Sequence, residues 1–199
     1  MSTSEARTPY HHGDLRNALL DAGARVAHDV GPEALSLREV ARRAGVSHTA
    51  AYNHFADRND LLRGIAIRAF GELTAALETA ETDSLEASAI AYLQFATSHS
   101  AEFRFMFQKS LCMPEGVFDP LEAAAQPPRA VLRKTIVRLQ EAGELKPGDP
   151  DDVLLVAWSQ IHGLTTIVLE TPAFKGISEE DAEHLLKAGM RALMAGLAD

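Results

Sequence analysis

His48, Thr49, Tyr52, Asn53 and His54 stand within one short run of the chain. Thr, Asn and His side chains can hydrogen-bond the edges of bases, and the methyl of Thr or Ala can touch that of thymine. Tyr52 and Ser36 suit phosphate oxygens better, contacts that position a protein on a duplex without reading its sequence. Arg58 lies close to where a further helix is expected to begin, and a helix N-terminus itself attracts phosphate. The chemistry on offer is recognition of a nucleic acid.

Such side chains need a rigid mount, and residues 36–55 supply one. Ser36 and Glu39 form Ser-x-x-Glu, a capping box that starts a helix. Leu37, Val40, Ala41 and Ala44 recur at helical spacing and give that helix one apolar face. Gly45 follows as the stop, because only Gly takes positive φ without a Cβ clash. Val46 plugs the turn and Ser47 can cap a second helix. Ala41 is small, so the second helix can cross close to the first. This is the pattern of a helix-turn-helix, whose second helix enters the major groove. An ordinary helical hairpin would carry the same pattern.

The chain has 199 residues, enough for one large or two small domains. A hydrophobic fraction of 46% is ample for a core. Ala and Leu are many and β-branched runs scarce, so an all-α fold is expected. Cys112 is the single cysteine, which excludes a disulfide framework and a cysteine zinc site and suits a reducing cytoplasm. No apolar run approaches the ~20 residues of a membrane span, and the polar N-terminus lacks a signal-peptide core. The net charge of −9 argues at first against nucleic acid, but its distribution removes the objection. Acids and bases balance through residue 64, and the whole excess falls on the remainder. No Lys precedes Lys109, so the front relies on Arg, whose planar fork suits phosphate and guanine.

Residues 1–12 read as a flexible arm, and the His11-His12 pair as solvated rather than metal-binding. A first helix is expected over about Asp14 to Asp29, ended by Gly31-Pro32, with Leu15, Ala18, Leu19, Ala22 and Val26 as its buried stripe. The motif helices follow, Leu37 to Ala44 and His48 to His54. A long helix capped by Asp57 runs toward Ala80. Thr82-Asp83-Ser84 is a break, and a fifth helix covers about 85–99. A short aromatic helix, 101–109, carries Phe103, Phe105 and Phe107. The next helix begins near Pro120, and Pro127-Pro128 predicts a kink or a fresh start within it. Asp149-Pro150-Asp151-Asp152 is a strong helix start. The eighth helix, about 151–170, is apolar nearly all round and is expected to be buried on more than one side. Ser178 caps the ninth, about 179–197. The expected domains are an arm (1–12), a helix-turn-helix domain (13–60) and a helical regulatory and dimerisation domain (61–199), about nine helices in all.

Residues 13–77 closely resemble the DNA-binding domain of TetR-family transcriptional regulators, most specifically in Ala-Gly-Val-Ser at 44–47, Tyr-x-x-Phe at 52–55 and the basic Arg58 that follows. Tyr10 to Arg16 and Trp158-x-x-x-His162-Gly163 resemble the subgroup whose regulatory domain is named for a Trp-His-Gly motif. The resemblance implies phosphate contacts from Ser36, Ser47, Tyr52 and Arg58. It implies a near-palindromic double-stranded operator, and a C-terminal domain that binds a small effector and holds a homodimer. Helices 8 and 9 are the expected dimer contact. Thr49, Ala50 and Ala51 depart from the commoner Gly-Thr-Leu type of recognition helix, which leaves the operator sequence open. Arg42 and Arg43 are expected on a solvated face. Tyr92, Phe95, Phe103, Phe107, Trp158, Ile161 and His162 could line an effector cavity, or equally fill an ordinary core.

An enzyme is the competing class, with Glu122, His162 and Glu170 as imaginable acid–base groups. No Gly-x-Ser-x-Gly, Gly-x-Gly-x-x-Gly or His-Glu-x-x-His accompanies them. A purely structural helical dimer leaves the motif at 36–55 without a reason. The expectation is therefore a cytoplasmic, homodimeric transcriptional regulator with no cofactor, metal or membrane. It is read as a repressor released by a small apolar or amphipathic ligand; a ligand-responsive activator and an all-helical enzyme using His162 are the alternatives.

Overall fold

The structure, a computed structural model, describes residues 12–31, 34–80 and 84–197. Among these there are nine α-helices and no strand: α1 (His12–Val30), α2 (Leu37–Arg43), α3 (His48–Tyr52), α4 (Arg58–Thr79), α5 (Leu85–Ser98), α6 (Ser100–Met106), α7 (Pro120–Glu141), α8 (Pro150–Glu170) and α9 (Glu179–Leu197). Single 3-10 turns lie at Lys109–Leu111 and Pro172–Phe174. This is the expected all-α class. The chain forms two compact units, one through Ile65 and one from Ala66. The expected arm falls almost wholly on residues outside those described, as do Pro32 and the first two residues of the break at 82–84.

In the N-terminal unit the core is made by Leu19, Leu20 and Val26 of α1, Leu37 and Val40 of α2, Ala51 of α3, Phe55, and Leu61, Leu62 and Ile65 of α4, all buried. Emptying such a site, as in Phe55→Ala, costs about 3–5 kcal/mol. Two glycines let α1 and α4 approach closely. A Cβ at Gly23 would lie 2.8 Å from Cδ1 of Ile65, and one at Gly64 would lie 3.0 Å from Cδ2 of Leu20. Gly45 takes φ +70, as the turn of the motif demands.

In the C-terminal unit α5 packs against α6, α7, α8 and α9. Leu85, Ala89, Tyr92, Leu93 and Ala96 of α5 are buried, with Leu132 and Ile136 of α7, Ile161 of α8, and Leu186 and Met190 of α9. Four of the later helices start on a capping side chain. Ser84, Asp119, Asp149 and Ser178 accept from backbone N–H groups in the first turns of α5, α7, α8 and α9.

Four expectations are corrected. α7 makes no fresh start at Pro127 and Pro128 but continues as one helix through both. The φ that proline's ring imposes is the helical one, and hydrogen bonds on either side carry the helix past the two missing donors. The aromatic helix is shorter than expected and ends at Met106, with Phe107 as its C-cap. α8 is not enclosed. Ala157, Ile161, Thr165 and Val168 are buried, but Leu155 is 66% exposed, Val156 48% and Ile167 45%. By length and composition alone α8 is also long and apolar enough to cross a membrane, contrary to the reading that no segment approaches a span. Here it packs on one side against α5, α7 and α9.

Candidate nucleic-acid interface and aromatic cluster

Ser36 and Ser47 cap the two motif helices. The Ser36 hydroxyl accepts from the Glu39 N–H at 3.2 Å, and that of Ser47 from the Ala50 N–H at 3.1 Å. The capping box is only half formed, because the Glu39 carboxylate turns away to arginine. It accepts from Nε and an Nη of Arg42 at 2.8 and 2.6 Å and from Nε of Arg43 at 3.2 Å. Arg43 also reaches Asp29 at the end of α1. These donors, those of Arg42 first, hold Glu39 well below the usual carboxylate range, at about 2, and Arg43 lowers Asp29 likewise. Arg42 and Arg43 are thus not simply solvated, as expected, but bound in an exposed ion network.

α3 is a single short helix anchored by Ala51, which is wholly buried. Around that anchor His48, Thr49, Tyr52 and Asn53 are exposed and His54 is half-buried. Asn53 is the C-cap rather than part of the helix, and His54 lies beyond it, so α3 stops short of the expected end. The His48 and Tyr52 rings meet edge to face at 4.6 Å, one turn apart. Polar groups and one aromatic therefore share a free surface, the requirement for entering a groove. Arg58 is half-buried, and its Nε donates to the Leu35 carbonyl at 3.0 Å. It ties the start of α4 to the residue before the Ser36 cap. Arg16, which sequence reasoning passed over, lies 5.1 Å from the centre of the Phe55 ring.

In the C-terminal unit the chain brings together five of the seven candidate ligand residues. Tyr92 of α5, Phe103 of α6, Phe107, and Trp158 and His162 of α8 are in mutual ring contact, with centroids 4.4 to 6.3 Å apart. Trp158 and His162, one turn apart on α8, stack within 11° of parallel. The Tyr92 hydroxyl lies 2.9 Å from Nδ1 of His162. Burial pushes the Tyr92 phenol far above its ordinary value and the His162 imidazole below its own, so both are neutral at pH 7. Ile161 is buried on the neighbouring face, and Phe95 stacks on His99 instead of joining the cluster. Phe70 of α4, edge-on to Phe107 at 5.7 Å, and Arg129 of α7, 5.9 Å over Trp158, are members that sequence reasoning missed. A separate cavity of about 890 Å³ lies between Glu78 and the α7 side chains Val131, Lys134, Thr135 and Arg138.

Comparison with known proteins agrees in both units. Residues 19–65 match the family described as bacterial regulatory proteins, tetR family, and residues 85–193 match the tetracyclin repressor-like C-terminal domain. The HTH-type transcriptional regulator BetI of Rhizobium meliloti (strain 1021) is 34% identical over 90 residues, which are 43% of this chain and 44% of that protein. The chain thus matches less than half the length of this relative. A protein of unknown function from Rhodococcus sp. RHA1 is 32% identical with a TM-score of 0.80, over 97% of this chain and 100% of that one. The TetR family transcriptional regulator PfmR from Thermus thermophilus shares the fold at 21% identity, with a TM-score of 0.65 over 92% and 97% of the two chains. With the C-terminal match alone covering more than half of its length, the chain belongs to the TetR family of bacterial regulatory proteins.

Proposed function

We propose that this chain is a sequence-specific DNA-binding transcriptional regulator of the cytoplasm, a repressor that a small molecule releases from a near-palindromic operator. The observation that carries the reading is the exposed polar face of α3, held on buried Ala51 and capped by Ser47. His48, Thr49 and Asn53 are its base readers, and Ser36, Ser47, Tyr52 and Arg58 hold phosphates. The regulatory domain is of the Trp-His-Gly type, a reading supported by the stacked Trp158 and His162. Its ligand site is the aromatic cluster. The exposed apolar face of α8 and its neighbour α9 form the homodimer contact. An enzyme using His162 is less well supported, because that ring is surrounded by Tyr92, Phe103, Phe107 and Trp158 and not by a nucleophile.

Selection of bound fragments from random DNA tests the reading, followed by binding curves at several salt concentrations. A regulator yields a recurring near-palindrome bound at least about a thousandfold more tightly than random DNA. Equal affinity for all fragments would overturn it. Transcription from the selected site, with and without the protein, separates repression from activation.

A further inference from the structure

Arg16 of α1 carries a charge that the interface described above leaves without a task. Its guanidinium carbon lies 5.1 Å over the centre of the Phe55 ring. Its Nη2 stands 3.4 Å from where a Cβ on Gly64 would be, so the group rests where α1, the end of the motif and α4 meet. Phe55 is 1% exposed and gives it a fixed floor, while Arg16 itself is exposed. Arg42, Arg43 and Arg63 are held by carboxylates, those of Glu39, Asp29 and Asp60. Arg16 is held by a ring, and it makes no ion pair with any described residue. A ring attracts the charge but takes up none of the five N–H donors in an ordinary hydrogen bond. The donors of Arg16 stay open to an acceptor from outside, on a group whose ordering cost is largely met before anything binds.

Its position says which acceptor. The Phe55 N–H donates to the Ala51 carbonyl at 3.1 Å, so that ring follows α3 directly. α3 has five residues and rises roughly 7.5 Å, less than the roughly 12 Å width of a major groove. A cation just beyond the end of so short a helix comes level with the phosphates that border the groove. The planar fork of a guanidinium matches the paired oxygens of a phosphate.

We infer that Arg16 is a phosphate clamp: braced on Phe55, it holds the DNA backbone beside the C-terminal end of α3. The inference rests on the reading of this unit as DNA-binding and adds a positioning contact to it.

The full-length protein and its variants are titrated by fluorescence anisotropy with the selected operator and with a random duplex, at several salt concentrations. Arg16→Ala should weaken both duplexes by the same factor, about tenfold near about 0.1 M salt, and reduce the salt slope by about one unit. Arg16→Lys keeps the charge but not the planar fork, so it should keep the slope while binding more weakly than the native protein. Arg25→Ala removes the same charge from the opposite side of α1, nine residues on at about 100° each. It should leave the slope unchanged and both affinities within about twofold. Urea midpoints check that each variant is folded. Arg16→Gln, which keeps the side-chain stem over Phe55, replaces the Ala variant if that one is not. An unchanged slope for Arg16→Ala, a loss confined to the operator, or an equal loss for Arg25→Ala would overturn the inference and leave the unit a DNA-binding one. A native protein that binds neither duplex would sink the DNA-binding reading, and the clamp with it.

Discussion

The Tyr92 hydroxyl and Nδ1 of His162, 2.9 Å apart, join α5 to α8 at the floor of the aromatic cluster. Tyr92 is wholly buried, so its partner cannot be exchanged for water without opening the unit. Tyr92→Phe keeps the ring and strands the imidazole nitrogen. It should lower stability by about 1–3 kcal/mol, read as a lower urea midpoint with an unchanged slope. A midpoint equal to that of the native protein would mean the bond contributes nothing net.

Glu39 holds two arginines that could otherwise reach phosphate. Glu39→Gln should free Arg42, while Arg43 keeps its pairing with Asp29; binding to random DNA should tighten and its salt dependence steepen by about one unit. The variant should also change the acid limb of stability. Glu39 is lowered in the folded protein to about 2 from an ordinary 4.5, so the folded state releases its proton more readily. Its contribution is present above pH 4.5 and is lost as pH falls toward 2. Acid titration followed by circular dichroism should show a shallower loss for Glu39→Gln. An unchanged salt slope would place Arg42 off the DNA.

Asn53 and Arg58 should fail differently. Asn53 is exposed and ends α3, so Asn53→Ala should cost about 1–3 kcal/mol on the operator and little on random DNA. Arg58→Ala should weaken binding to all sequences alike and reduce the salt slope by about one unit. It also removes the bond to the Leu35 carbonyl, so about 1 kcal/mol of stability should go with it. Fluorescence anisotropy at several salt concentrations separates the two variants.

The exposed face of α8 should be the centre of a two-fold contact. Val156→Glu and Ile167→Glu put charge where apolar surface must be covered, and each should convert a dimer into a monomer in sedimentation at micromolar concentration. The two glycines of the region should differ. A Cβ at Gly163 meets nothing within 4 Å, so Gly163→Leu projects outward and should also break the dimer. A Cβ at Gly189 would lie 2.5 Å from Nε2 of Gln160 in the same chain, so Gly189→Leu must first displace that side chain. A native protein that sediments as a monomer would remove the contact. In the dimer the two α3 helices should sit roughly 34–36 Å apart, one turn of the duplex.

What the sequence determined by itself is local. Ser36, Ser47, Asp149 and Ser178 could be read as caps, and Gly45 as a stop, because each acts on backbone groups within a few residues. The apolar stripes of α1 and α2 were legible for the same reason: a helix repeats every 3.6 residues whatever it packs against. The polar face of α3 followed from those two facts. Tertiary structure decided where local rules left a choice. Glu39 could return to the Ser36 backbone or turn to arginine, and the reach of Arg43 to Asp29 on another helix accompanies the second. Pro127 and Pro128 could have broken α7, but packing of Pro128 and its neighbours in the core keeps one helix. An all-round apolar α8 could not say which of its faces its own chain would cover. Tyr92 and His162 lie seventy residues apart, and no periodicity links them. Their pairing exists because α5 and α8 pack together, and a buried hydroxyl must take its partner from whatever helix faces it.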